Sequence, residues 1–329
     1  MEIRSDLETT QSYSPYVKGG STPLTKQTRS GAPLDIKVRV ASQDDYQQCR
    51  DVMRAASRNY SFASLFFPRE VRPHVEALYA FMRIGDDRVD VSHKGFRSPQ
   101  EAIEDWEETY WNAFTIGDSP HPVIRAYLDT ANEFGIPAEL MKPYFRAMKD
   151  DLSITRFPAF DDLLYYMEGS AMTVGRAMTH ILGVKDKDRF AEAIAAADSL
   201  SIAMQLSNFW RDIGQDWKIG RVYLPQEDME RFSYPDNHLA HGVINENFIS
   251  LVEFEIQRTE EYYRHARSGV DLLARGQWAV TNGLEIYRSI LSDIQRNRYD
   301  VFTKRAGSST MQKISFAIRS YLHRNFSNR

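Results

Sequence analysis

Cysteine is almost missing from this chain: Cys49 is the single one among 329 residues. That excludes an internal disulfide framework and zinc sites built from several thiolates, and it fits a reducing cytoplasm. Long apolar runs are lacking too, because charge interrupts each one before the roughly 18–20 residues that a membrane span needs. The first residues carry Glu2, Arg4, Asp6 and Glu8 where a signal peptide would have its apolar segment. A net charge of -4 leaves no basic excess to neutralise a nucleic-acid backbone. No Gly-rich dinucleotide loop, Walker loop, His-Glu-x-x-His or Gly-x-Ser-x-Gly elbow occurs, and the eight histidines form no ligand-spaced cluster. A soluble cytoplasmic protein is expected, with its chemistry carried by other groups.

Residues 1–40 are rich in Ser, Thr, Gly and Pro without an apolar period, and read as a disordered tail. From Ser42 onward nearly every segment has helical period and helical punctuation. Ser98-Pro99-Gln100-Glu101 is a capping box with proline at the first helical position. Helices are predicted over 42–56, 71–91, 98–117, 121–134, 137–151, 161–182, 186–217, 245–268, 278–298 and 310–326, and a loop over 221–225. With no alternating strand pattern, the fold class is all-α. The expected architecture is a single helical bundle over 41–329 whose facing helices line a central cavity.

Two polar stripes break this apolar pattern. Asn208, Asp212 and Asp216 recur every four residues, so successive side chains advance by only about 40° on a helix and share one face. Two carboxylates and an amide suit a hard divalent cation, whereas buried carboxylates without neutralisation are costly. Asp86 and Asp90 repeat the spacing within Asp86-Asp87-Arg88-Val89-Asp90, again on an apolar helix. A solvated helix face would explain one such cluster; a second of the same type points to two facing metal sites around a diphosphate. Arg83, Arg211, Arg221, Arg58 and Lys304-Arg305 could balance diphosphate charge or could be surface charges. Phe62, Phe66, Tyr79, Phe81, Phe209 and Tyr287 lie near the motifs and could wall a carbocation, though most aromatics are core.

The sequence resembles the squalene/phytoene synthase family over nearly all of the chain after the tail. The family-like strings are Tyr60-Ser-Phe-Ala-Ser64, Ala77–Asp90, Tyr166–Gly175, Gln205–Asp216 and Gly220–Asp228, while Tyr299–Arg305 looks like bacterial phytoene synthases in particular. The resemblance implies an isoprenoid synthase-type helical fold. It implies Mg²⁺, or Mn²⁺ in its place, held by Asp86, Asp90, Asn208, Asp212 and Asp216. It further implies substrate contacts at Ser57, Tyr60, Arg83, Gln205, Arg211, Arg221 and Arg305, and a part in catalysis for Arg83, Tyr287 and the four motif aspartates. Arg88 stands where the family usually has an aliphatic residue. At about 200° from Asp86 it should point away from the metals and act through packing. Gln215, in place of a common Glu, is likewise off the stripe, and Glu168 lies near an expected substrate-facing helix.

The implied activity is a phytoene synthase-like condensation of two geranylgeranyl diphosphates, head to head. It passes through a cyclopropylcarbinyl diphosphate, releases two diphosphates and requires no NADPH. A squalene, dehydrosqualene or presqualene diphosphate synthase using two farnesyl diphosphates is the first alternative. A non-catalytic family member is a second, and a terpene cyclase or head-to-tail elongase a poorer third. An apolar product also predicts transient contact with a membrane surface.

Overall fold

Ser42 opens the first helix, α1 (Gln43–Ala56): its Oγ accepts from Asp45 N–H at 3.2 Å, and its own N–H and O–H donate to Asp45 Oδ2 at 2.8 Å. The computed structural model describes residues 41–56, 61, 63–90 and 95–306, with the side chain of Asp90 excepted. The tail over 1–40, the helix predicted over 310–326, and Ser57, Arg58, Tyr60 and Phe62 lie outside the described residues.

α2 (Arg72–Asp90) is followed by α3 (Pro99–Ile116), where Ser98 Oγ accepts from Glu101 N–H at 3.2 Å as the capping box requires. The reciprocal bond falls one residue early, Glu101 Oε2 accepting from Arg97 N–H at 2.6 Å. α4 (Pro122–Phe134) comes next, and then α5 (Lys142–Asp150) after a 3₁₀ turn over Ala138–Met141. The single helix predicted over 161–182 is interrupted. α6 (Phe160–Met167) widens into a π turn at Glu168–Met172 before α7 (Thr173–Leu182) resumes the ordinary pitch. π turns of this kind are frequent at functional sites.

α8 (Phe190–Lys218) is the longest described helix. α9 (Gln226–Arg231) and α10 (Asp236–Ala240) were not expected, because six and five residues are too short to show a period. α11 (Glu246–Gly269) and α12 (Gln277–Arg296) complete the described helices. Among the described residues there is no strand, only isolated bridges such as Arg156 to Val222. The all-α class therefore holds.

Two apolar cores divide the described helices. One gathers α1, α2, α3, α4, α5 and α7, with Phe81, Trp106, Tyr110 and Tyr127 fully buried within it. The other gathers α6, the π turn, α8, α11 and α12 around Trp210, Phe248 and Tyr263. Burying each such ring contributes about 1.5–3 kcal/mol, so neither core would open readily. α2 packs on α1, α3 and α4, and α8 packs on α11, α12 and α7. Each acidic motif thus belongs to a principal helix of one core, and α7 packs against both helices.

Candidate functional site

One face of α8 is half-exposed over Leu200, Met204, Gln205, Asn208, Arg211, Asp212 and Asp216, with Leu200 and Met204 also packed against the edge of its core. Its opposite face, including Leu206, Trp210 and Ile213, is buried. The stripe is therefore apolar in its amino-terminal half and carries amide and carboxylates in its carboxy-terminal half.

Asp212 is held by two arginines. Arg211 Nε donates to Asp212 Oδ1 at 2.9 Å, with a second bond from Nη2 to Oδ2, and Arg305 Nε donates to Oδ1 at 3.2 Å. Burial pushes the Asp212 carboxyl up, but these guanidinium bonds prevail and leave it below the usual range. Asp216 goes the other way: burial and then the charge of Asp212 push it up to about 7. Two carboxylates four residues apart on one face repel each other, and a bound cation would relieve that repulsion. Their donor set is all oxygen, which fits Mg²⁺. Among the described residues no three acidic, histidine or cysteine side chains group to hold a metal. Mg²⁺ commonly uses one or two carboxylates with substrate phosphate oxygens, so the pair fits that mode of binding.

Arg305 reaches Asp212 because the turn after α12 lies hard against α8. Arg298 and Tyr299 adopt left-handed φ values of 56° and 61° to make the turn. A Cβ on Gly214 would lie 2.9 Å from both Phe302 Cα and Val301 O. Gly214 thus belongs to the site through the approach it permits. Gly214→Ala is expected to displace the 301–305 turn, cost about 1–3 kcal/mol of stability, and loosen Arg305 from Asp212. A several-fold rise in the dissociation constant for Mg²⁺–pyrophosphate, read by calorimetry, is the expected outcome; unchanged binding would mean that the turn does not position Arg305.

On α2, Asp86 and Asp87 are half-exposed, and Arg83 pairs with Asp87 at 2.5 Å one turn along. Asp90 occupies the last position of the helix. Arg88 turns away as its position predicts. Its Nη1 donates to Ala102 O at 2.7 Å and pairs with Asp105 at 2.6 Å, and its guanidinium lies 4.8 Å from the Trp106 ring. Phe81 is core rather than cavity wall, stacked on Tyr127 with centroids 4.6 Å apart and fully buried. It sits about 140° around the helix from Asp86, so adjacency in sequence does not make it a neighbour of the carboxylates. Phe209 is 5% exposed and stacks on Tyr223 at 3.8 Å. Phe66 meets Trp278 edge-on at 4.6 Å, while Tyr287 is half-buried on α12.

Polar groups packed around the two motifs escape a reading by spacing. Tyr144 on α5 donates its hydroxyl to Met82 O at 2.9 Å, beneath the first motif. Burial pushes its phenol well up, and the charges of Asp86 and Asp151 add to that. Asp151 follows α5, accepts from Tyr166 Oη at 2.8 Å and faces Arg221 Nη1 at 3.6 Å. Arg221, whose N–H donates to Asp216 O at 2.8 Å, also donates from Nη1 to Tyr223 Oη at 3.3 Å. Direct contacts therefore join Tyr166, Asp151, Arg221 and Tyr223, and Arg221 meets the end of the second motif through its backbone. Asp151 and Tyr144 lie outside the recognised strings; Tyr166 begins one of them. Surface depressions of about 470 and 370 Å³, around Tyr234 and around Trp111, contain none of the expected site residues.

A helical scaffold that carries acidic stripes on principal helices of adjoining cores defines an isoprenoid synthase-type protein. The solved structures agree: a dehydrosqualene synthase matches with a TM-score of 0.77 and 24% identity, over 86% of this chain and 97% of that one. The squalene synthase HpnC from Alicyclobacillus acidocaldarius matches with a TM-score of 0.72 and 28% identity, over 78% and 95%. The family model described as squalene/phytoene synthase matches residues 53–312, and the chain belongs to that family, which consists of prenyltransferases. Among curated relatives, a phytoene synthase of Arthrospira platensis is 32% identical over 293 residues, 85% of this chain and 93% of its own length. A 15-cis-phytoene synthase of a Synechocystis species is 31% identical over 89% of this chain and 91% of its own length.

Proposed function

We propose that this protein condenses two geranylgeranyl diphosphates head to head, releasing two diphosphates to form phytoene without a reductant. The observation that carries the reading is the α8 face, where Asp212 and Asp216 stand together with arginines at one end of an apolar stripe. Relatives named phytoene synthase support the product class.

Mg²⁺, when bound by Asp86, Asp90, Asn208, Asp212 and Asp216 together with diphosphate oxygens, would supply the charge that lets diphosphate leave. This chain's own residues do the rest. Arg83, Arg211, Arg221 and Arg305, with Gln205, Ser57 and Tyr60, bind and orient the diphosphates. Arg211 and Arg305 hold Asp212 ionised and ready, and can turn their remaining N–H groups to the substrate. The apolar half of the stripe, with Tyr287, shields the allylic cation from water while the second double bond attacks it. Loss of a proton closes the cyclopropane ring. The resulting cyclopropylcarbinyl diphosphate then ionises in turn, rearranges and loses a second proton to leave the central double bond.

Incubating the purified protein with Mg²⁺ and either geranylgeranyl or farnesyl diphosphate, with and without NADPH, tests this. Phytoene from the C20 substrate without NADPH is expected. Squalene formed only with NADPH would replace the reading by the farnesyl alternative, which the likeness to dehydrosqualene and squalene synthases keeps in view. No turnover of either substrate would favour a non-catalytic member. No described helix is long and apolar enough to cross a membrane. We therefore place any membrane contact at the surface, and a flotation assay with no bound fraction would count against it.

A further inference from the structure

Asp151 received no role from motif or spacing, yet it holds Arg221, the arginine that follows the second motif. It follows the last turn of α5, with its side chain 12% exposed. Tyr166 Oη donates to its Oδ1 at 2.8 Å, which fixes the direction in which the carboxylate faces. Arg221 is gripped twice by this one residue: Nη1 faces Oδ1 at 3.6 Å and Nη2 donates to the backbone carbonyl at 3.1 Å. The same Nη1 donates to Tyr223 Oη at 3.3 Å, and the Tyr223 ring lies flat on Phe209 at 3.8 Å and 8°. The loop carrying Arg221 is pinned to the segment after Asp151, since Val222 N–H donates to Thr155 O at 2.9 Å.

We infer that Asp151 is a positioning residue for diphosphate binding, acting through Arg221. The inference rests on the prenyl diphosphate reading above. Two physical effects of removing its charge oppose each other, which makes the sign of the outcome informative. Direct electrostatics says that deleting a carboxylate beside an anion site should tighten anion binding. Positioning says that an unanchored Arg221 loses its aim and its conformational order, so binding should weaken. With two of its anchoring contacts on one residue and a rigid stacked ring behind it, positioning is the effect expected to win.

The test is calorimetric binding of inorganic pyrophosphate with Mg²⁺ to the full-length wild type and to Asp151→Asn, Arg221→Gln and the double variant. Asp151→Asn and Arg221→Gln are each expected to weaken binding about tenfold, and the double variant no further than Arg221→Gln alone, because one acts through the other. Tyr166→Phe, which removes the bond aiming the carboxylate, should weaken binding by about threefold in the wild type and not at all in Asp151→Asn. A merely structural role would lower thermal stability without this coupling. Binding by Asp151→Asn that equals or exceeds that of wild type overturns the inference, as do losses that multiply in the double variant. If Asp151→Asn does not fold, Tyr166→Phe decides alone: wild-type binding overturns the inference. A wild-type protein that binds no pyrophosphate with Mg²⁺ fails the functional reading itself, a different result from either.

Discussion

Asp212→Ala is expected to lower turnover of prenyl diphosphate by about a thousandfold in a protein that still folds. The loss follows from what surrounds the carboxylate. Arg211 and Arg305 keep Asp212 ionised against its burial, so it is the member of the pair that carries full negative charge at neutral pH. Asp216 is pushed up to about 7 by burial and by Asp212. Removing Asp212 therefore deletes the stronger anion of the site and lets Asp216 fall back toward its ordinary range. The loss of Arg305's partner should cost little, because Arg305 is largely solvent-exposed. Arg211, only 18% exposed, loses that carboxylate as well, so a stability cost of about 1–3 kcal/mol is expected. Mn²⁺ binding followed by electron paramagnetic resonance should weaken in parallel with turnover. Undiminished turnover and unchanged Mn²⁺ affinity would end the assignment of Asp212 to the metal. Asp212→Asn keeps the shape and separates loss of charge from loss of packing.

Much of this site was legible from spacing alone, because a helix converts a step of four residues into a shared face. The stripe on α8 and the turning-away of Arg88 both follow from that rule. The cap at Ser98 and the left-handed stops at Gly117 and Gly135 follow from local turn chemistry. What was not legible depends on residues far apart in the chain. Tyr144 meets Met82 across 62 positions, and Arg221 meets Asp151 across 70. No period announces such pairs. The π turn at Glu168–Met172 was hidden for another reason: it preserves the apolar pattern on both sides and changes only the register between α6 and α7. Phe81 shows the converse error, where closeness in sequence to Asp86 suggested a shared face that the helix does not provide.

The first motif carries a further constraint in Gly85, and Gly85→Ala is expected to destabilise the fold by about 2–4 kcal/mol. A Cβ there would lie 1.9 Å from Tyr144 Oη and 3.0 Å from its Cζ, with Trp106 at 3.3 Å. The phenol cannot stay where it is. Moving it breaks the 2.9 Å bond to Met82 O and leaves a fully buried hydroxyl without its acceptor, which costs about 1–3 kcal/mol. Crowding against Trp106 adds a similar amount, while better helix propensity of alanine returns about 1 kcal/mol. Chemical denaturation should show the loss, and the companion variant identifies its source. Tyr144→Phe in the Gly85→Ala background removes the colliding atom and should recover about half of the stability. A second alanine effect is expected in the active site. Tyr144 bonds to Met82 O beneath the first motif, so displacing its ring should disturb the segment of α2 that carries Asp86 as well as the core beneath it. Gly85→Ala that folds with wild-type stability would mean that α2 and α5 are farther apart in solution than this packing allows.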